Sequence, residues 1–296
     1  MLQTLPSNSL KQIMRDYLAL TKPRIVALLV FTTFVSLIVA RPSVSLQTVV
    51  ATITAGSLAA GGASAINQYY DRDIDGQMSR TKNRPIPSGR ISPINALIFG
   101  LSLLVWSTFI FLTLVNVLAA LLALVGAAYY LGIYTHILKR NTAMNIIIGG
   151  GAGAIPVLVG WAAATGQLSV YAWILFAIVF LWTPPHSWAL AVLVNTDYER
   201  ANVPMMPVAY GTEMTQIQIV WYSLQLVILT LMPLPLHMFS LFYFIVAIGL
   251  GAGLLWRSIF LFQHVSKLAA RQLYKYSSLY LTLLFLTMML DRIIFK

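Results

Sequence analysis

Nine stretches of mostly apolar residues recur along this chain, at about 23–40, 48–68, 93–115, 117–135, 144–163, 170–193, 217–236, 239–260 and 276–291. Each is about 16 to 25 residues long, enough for a helix rising ~1.5 Å per residue to cross a hydrocarbon layer of ~30 Å. Backbone polar groups inside lipid must be satisfied within the segment, so runs of this length fold as helices. Only 9% of the 296 residues are charged and 59% are hydrophobic, whereas soluble domains carry ~25% charge. No water-soluble core of this size hides so much apolar surface. The expected architecture is all-α: a polytopic membrane protein of about nine transmembrane helices. The prolines at 233 and 235 blur the boundary between the seventh and eighth spans.

The formal net charge of +11 suggests nucleic acid until its distribution is read. With the N-terminus inside, the even-numbered loops and the N-terminal segment collect every Lys and Arg except Arg41, Arg292 and Lys296. This is the positive-inside asymmetry, and it sets the N-terminus and those loops on the cytoplasmic side. Nucleic acid is not an expected partner; the lipid bilayer is. The chain has no cysteine, which excludes disulfides and thiolate metal sites. Its opening Met-Leu-Gln-Thr-Leu-Pro has neither a signal-peptide charge pattern nor the Arg/Ser bias of a transit peptide. A bacterial inner membrane is the expected location.

The outward connections are short and nearly free of charge. The two long polar connections, 69–92 and 195–215, both face the cytoplasm and recur at a four-helix interval. That spacing suggests a single domain over 1–296, with a first half at about 20–140, a second at about 141–262 and a ninth helix at about 275–291. The two loops would meet over a central cavity. Small residues crowd the second span (Gly56, Ala59, Ala60, Gly61, Gly62) and the fifth (Gly149, Gly150, Gly151, Gly153). Close helix packing accounts for such residues; room for a bulky ligand is a further use, and the two are compatible.

Three of the eight acidic residues fall at Asp71, Asp73 and Asp75. If the second span runs helically into its loop, Asn67, Asp71 and Asp75 sit at i, i+4 and i+8, each offset by about 40°, and share one face. Asp73 points elsewhere. An amide and two carboxylates on one face form an oxygen site suited to Mg²⁺, which keeps waters and bridges to phosphate. A solvated turn is the alternative, but acids at a membrane boundary are costly without a partner. Asp197, in Asp197-Tyr198-Glu199, ends the sixth span; alone it is a plain helix terminus, but the four-helix interval makes it a second ligand set, so that two ions would clamp a diphosphate. Arg80, Arg84, Lys139 and Arg140 are candidates for the phosphate oxygens, Arg80 and Arg84 foremost. Some of these bases serve topology instead.

His186 lies within the sixth span in Trp182-Thr-Pro-Pro-His186-Ser-Trp188, where two prolines are expected to break the helix. An intramembrane histidine is a functional candidate as a base, an iron ligand or a hydrogen-bond donor; a packed histidine is the alternative. His136, His237 and His264 lie near interfaces.

Asn67-x-x-x-Asp71-x-x-x-Asp75 followed by Arg80-Thr-Lys-Asn-Arg84-Pro resembles the UbiA-type intramembrane prenyltransferase superfamily. Further segments are similar to its haem-farnesylating branch: Leu20-Thr-Lys22-Pro-Arg24-Ile, Tyr134-Thr-His-Ile-Leu-Lys139-Arg140, Asn145 to Pro156, Trp182 to Trp188, and Asp197 to Val208. The resemblance implies that Asn67, Asp71, Asp75 and Asp197 bind farnesyl diphosphate through Mg²⁺. It also implies that a haem B vinyl group is the acceptor, with water added, giving haem O and diphosphate. One departure is Ala201, where many superfamily members carry a second acid four residues on; Thr196 is another. Implied partner proteins are haem A synthase or a terminal oxidase assembly.

The expected chemistry is loss of diphosphate to leave an allylic cation in a dry cavity. Tyr69, Tyr70, Trp182 and Trp188 are candidates to shield it, and His186 to contact haem. Rival readings are a prenyltransferase for a quinone precursor and an ion-coupled transporter. The position of the acids at the membrane surface rather than mid-bilayer disfavours the second.

Overall fold

The computed structural model describes residues 9–295; the opening Met-Leu-Gln-Thr-Leu-Pro and Lys296 lie outside them. Among these residues every regular element is a helix. In chain order they are α1 (Leu10–Leu20), α2 (Pro23–Ala40), α3 (Leu46–Tyr70), α4 (Arg72–Gln77), α5 (Pro93–Leu114) and α6 (Val117–Asn141), followed by α7 (Asn145–Thr165), α8 (Val170–Leu193), α9 (Asn195–Arg200), α10 (Met206–Leu231), α11 (Leu241–Gln263) and α12 (Lys267–Phe295). Nine of these, all but α1, α4 and α9, are long and apolar enough to cross a membrane.

The helices outrun the apolar stretches that announce them. α10 starts at Met206 rather than 217, and α12 at Lys267 rather than 276. Backbone hydrogen bonding continues past the apolar stretch wherever the interface lets polar side chains reach water. Gly211, at φ 82°, kinks the early part of α10, a conformation that glycine adopts without a Cβ clash. Pro184 and Pro185 do not break α8, contrary to expectation: the helix runs from Val170 to Leu193 with both prolines buried inside it. In a membrane, such interruptions are tolerated inside helices packed among others.

Side-chain caps start several spans. Ser45, Ser92 and Ser240 and the amide oxygen of Asn116 accept a first-turn backbone N–H of α3, α5, α11 and α6, satisfying donors that the helix leaves free. Large apolar side chains such as Trp106, Trp173, Trp221 and Trp256 remain exposed on the outer faces, as a lipid-facing belt requires.

Glycines set the inner packing. A methyl group at Gly160 of α7 would lie 2.1 Å from Thr33 O of α2, and one at Gly62 of α3 would lie 2.6 Å from Gly100 O of α5. These backbones touch, the small-residue contact of membrane helices. Other small residues leave space instead. A cavity of about 330 Å³ lies among α2, α3, α6, α7 and α8, walled by Gly56, Ala60, Ala127, Gly153 and Pro156 among others. Both readings of the small residues therefore hold, at different positions.

Candidate active site

α3 hands its helical register across a slight break at Asp71 into α4. Asp71 N–H donates to Asn67 O (2.9 Å) and Asp75 N–H to Asp71 O (2.8 Å), so the i, i+4, i+8 spacing persists. Asn67, Asp71 and Asp75 are all buried, each at 2% exposure or less.

Asn67 organises this cluster with all its side-chain atoms. Its Nδ2 donates to Asp71 Oδ2 (2.8 Å) and to Thr135 Oγ1 (3.0 Å), while its Oδ1 accepts from Lys22 Nζ (2.6 Å). Asp71 is ion-paired with Lys139 and Asp75 with Arg84 (2.6 Å). Two of the expected phosphate-binding bases thus rest against the acids. Arg140, the third, forms a forked pair with Asp73 (2.7 and 2.8 Å) at the surface. This bond to Arg140 is the main cause holding the Asp73 carboxyl below its usual range.

Lys22 has no expected role from the sequence, yet it stands at the centre. It occupies the left-handed backbone region (φ 52°) immediately before Pro23, which disfavours the right-handed helical region for the preceding residue. The residue is half-buried, and its ammonium bonds Asn67 Oδ1 and Tyr130 OH (3.4 Å). Burial, reinforced by the nearby Arg84 and Lys139 charges, pushes its pKa down to about 7. The sequence signal was a basic residue before a proline, which reads equally as a topology determinant.

Asp197 does not stand alone on its side. Its carboxylate accepts the backbone N–H groups of Ser79 and Arg80 (3.3 Å each), and Arg200 bonds Ser79 Oγ (3.0 Å). The two long polar loops therefore touch, with Arg80 contributing its amide rather than its guanidinium to that contact. Burial alone would raise the Asp197 carboxyl, but the bonds from Ser79 and Arg80 outweigh it and hold the pKa low.

α6 joins this polar head to the cavity. Residues Tyr129–Leu138 form a stretch of wider, π-type turn, the kind of irregularity that often marks functional sites. Tyr130 and Tyr134, stacked with ring centroids 5.6 Å apart, wall the cavity, and the same stretch carries Thr135 to Asn67. Gly149 leaves room for this arrangement, since a methyl there would meet Tyr134 Cδ2 at 2.3 Å.

The aromatic residues expected to shield a cation are elsewhere. Tyr69 lies under Arg72, Tyr70 meets His136, Trp182 stacks on His186, and Trp188 packs on Tyr222. The aromatic walls of the cavity are Tyr130 and Tyr134. α8 contributes Thr183 and Ser187 to the cavity, whereas His186 turns toward α12, with Nδ1 2.8 Å from Ser277 Oγ.

Among the described residues no three His, Cys, Asp or Glu side chains converge as a metal site. Mg²⁺ does not need three: it is commonly held by one or two carboxylates, waters and substrate phosphates. Asp71 Oδ1 is buried and without a hydrogen-bond partner. A carboxylate oxygen in that state is a fitting donor for a hard cation, so these residues fit the ion.

The chain matches the model of the UbiA prenyltransferase family over residues 28–284 and belongs to that family. Within it, the chain is 48% identical over 291 residues to a protein of Trichodesmium erythraeum named protoheme IX farnesyltransferase, covering 97% of this chain and 89% of that one. A protein of the same name from Synechocystis sp. is 48% identical over 287 residues, covering 96% and 91%. Among solved structures, the fold is similar to a digeranylgeranylglyceryl phosphate synthase, with a TM-score of 0.78 at 20% identity over 95% of this chain and 98% of that one. It is also similar to a UbiA homolog from Archaeoglobus fulgidus bound to GPP and Mg2+, with a TM-score of 0.65 at 19% identity over 92% and 99%. At these identities the structural likeness is one of fold.

Proposed function

We propose that this chain transfers the farnesyl group of farnesyl diphosphate to a vinyl group of haem B, with addition of water, giving haem O and diphosphate. It would do so in a bacterial inner membrane, with its N-terminus and active-site loops cytoplasmic. The observation that carries the donor half is the run of contacts Tyr130–Lys22–Asn67–Asp71, which joins an apolar cavity to a buried acidic head. The acceptor rests on the full-length similarity to proteins named for protoheme IX.

Asp71 and Asp75, with Asn67 and across the loops Asp197, would hold Mg²⁺. When bound, the ion neutralises charge on the departing diphosphate. Lys139 and Arg84 lie at the acids and are placed to bond phosphate oxygens, with Arg80 and Arg140 nearer the rim. The farnesyl chain occupies the apolar cavity, where small residues leave volume. As the C1–oxygen bond breaks, its electron pair leaves with diphosphate, and the faces of Tyr130 and Tyr134 attract the allylic cation, by about 0.5–2 kcal/mol each. The vinyl π electrons close the new carbon–carbon bond, and water adds to the resulting cation with loss of a proton.

The test incubates membranes containing the wild type or Asp71→Asn with haem B, farnesyl diphosphate and Mg²⁺. Haem O should form with the wild type and fall by more than about a hundredfold in the variant. Prenylation of a quinone precursor but not haem would replace the acceptor, and full Mg²⁺-dependent activity of Asp71→Asn would remove the metal site.

A further inference from the structure

α1 presents one face outward and pins the other to the bundle. Leu10, Met14 and Leu18 are 73%, 65% and 60% exposed, and their i, i+4, i+8 spacing sets them in one row along the helix. Lys11 and Arg15 lie along one edge of that row and are also exposed. Among the described residues neither has an ion-pair partner. An apolar stripe edged by bases is the pattern of a helix lying in a membrane interface, with its apolar side chains among acyl chains and its bases at the phosphates.

The inner face makes specific bonds. Asp16, 3% exposed, accepts from Gln12 Nε2 (3.1 Å) and pairs with Arg90 Nε (2.9 Å). Arg90 Nη2 donates to the carbonyl of Asn83 (3.0 Å), the residue before Arg84. Tyr17 meets the Phe99 ring of α5 edge-on, with centroids 5.0 Å apart. Gln68 Nε2, next to Asn67 in the chain, donates to Leu20 O (2.8 Å). The turn that follows carries Lys22, whose N–H donates to Ala19 O (3.2 Å). One helix thus braces both Lys22 and the backbone beside Arg84.

The same contacts give its depth. A methyl group at Gly61 of α3 would lie 3.2 Å from Thr21 Cβ. Gly61 is nine residues inside the end of that span at Tyr70, about 13 Å along the axis. Asp16, in contrast, meets Arg90, just ahead of the start of α5 at Pro93. α1 therefore slants from within the depth of the spans to their rim, and its outer face continues the lipid-facing belt. We propose that this face docks on anionic phospholipid headgroups, bound by Lys11 and Arg15, and that the seating steadies Lys22 and Arg84 behind it. A base near an anionic surface contributes about 1 kcal/mol, so the two favour the seated helix by about 30-fold. The lipid site stands on geometry alone; its link to Lys22 and Arg84 rests on the function proposed above.

The chain has no cysteine, so Met14→Cys gives a single spin-label site in the full-length protein. The labelled protein is reconstituted in phosphatidylcholine with or without phosphatidylglycerol, and power-saturation EPR compares its accessibility to oxygen and to a water-soluble nickel chelate. With phosphatidylglycerol the label should lie below the phosphates. Omitting that lipid, or adding Lys11→Gln and Arg15→Gln, should raise its accessibility to nickel, whereas Lys267→Gln with Arg271→Gln on α12 should not. A label open to nickel in every bilayer overturns the docking surface. Equal depth with and without phosphatidylglycerol, or an equal effect of the α12 pair, overturns the preference for anionic headgroups at α1. In unlabelled protein, kcat/KM for farnesyl diphosphate should rise with phosphatidylglycerol by up to about 30-fold and stay flat in Lys11→Gln/Arg15→Gln. A flat wild-type profile beside a seated label overturns the link to Lys22. A seated label in a protein that makes no haem O supports the lipid site while the proposed function fails.

Discussion

Lys22 reaches Asn67 Oδ1 at 2.6 Å, joining residues 45 positions apart at adjoining ends of the first two spans. The contact fixes the orientation of the amide whose Nδ2 is aimed at Asp71. A hydrogen bond to a charged group contributes about 1.5–3 kcal/mol. Lys22→Met should therefore lower kcat/KM for farnesyl diphosphate by roughly 10–150-fold while the protein still folds. Steady-state kinetics measures the loss, and an unaltered kcat/KM would mean that Asn67 holds its position without the lysine.

Lys139 and Arg140 are neighbours with different expected effects. Asp71, the partner of Lys139, is 1% exposed, whereas the Asp73 side chain opposite Arg140 is 56% exposed. Removing one member of a buried pair costs about 3–5 kcal/mol, and surface pairs contribute about 0–1 kcal/mol. Lys139→Met should lower the melting temperature clearly in a chelator and recover part of it in Mg²⁺. Arg140→Met should shift it little in either buffer. Equal shifts for the two variants would contradict the burial argument.

Gly153 lines the cavity, and a Cβ added there meets nothing within 4 Å. Gly153→Leu should fold at least as well as wild type, because glycine is the poorer helix former by about 1 kcal/mol relative to alanine. It should also shorten the prenyl chain that fits, raising the KM for farnesyl diphosphate more than for the shorter geranyl diphosphate. Competition between the two donors gives the ratio directly. In contrast, Gly160→Ala, pressed on Thr33 O, should destabilise by about 1–3 kcal/mol with no change in that ratio.

At the far end of the molecule, Asp291 of α12 is fully buried and accepts from Ser240 N, Ser240 Oγ and Tyr243 N. It caps α11 from another helix. Asp291→Ala should lower stability by about 0.5–2 kcal/mol for the lost cap, seen as a lower melting temperature, and leave the KM for both substrates unchanged. A changed KM would tie this end of the bundle to the site.

The nine spans were legible because lipid demands long apolar helices, and the Asn67–Asp75 register because helical spacing survives a slight break in the backbone. Three features were not. Lys22 acts through a left-handed backbone and an amide 45 residues away, a relationship that no local pattern encodes. Tyr130 and Tyr134 enter the cavity because the helix around them is wound wider than an α-helix, and periodicity assumes the ordinary pitch. The prolines of α8 read as a break because proline lacks an N–H, yet the helix carries both inside it without ending.

The wide-turn stretch of α6 has an implication for divergence. Tyr130 and Tyr134 face the apolar cavity, and Thr135 and Lys139 address Asn67 and Asp71. Under the proposed function, tail selectivity and head-group chemistry are thus inherited on one short run of backbone. Deleting a single residue between 129 and 138 would relax the pitch and rotate both sets at once. Under that reading, descendants of this enzyme can explore new chain lengths by resurfacing α3 or α7, but not by trimming α6, where changing the cavity wall also disturbs the groups proposed to meet the diphosphate.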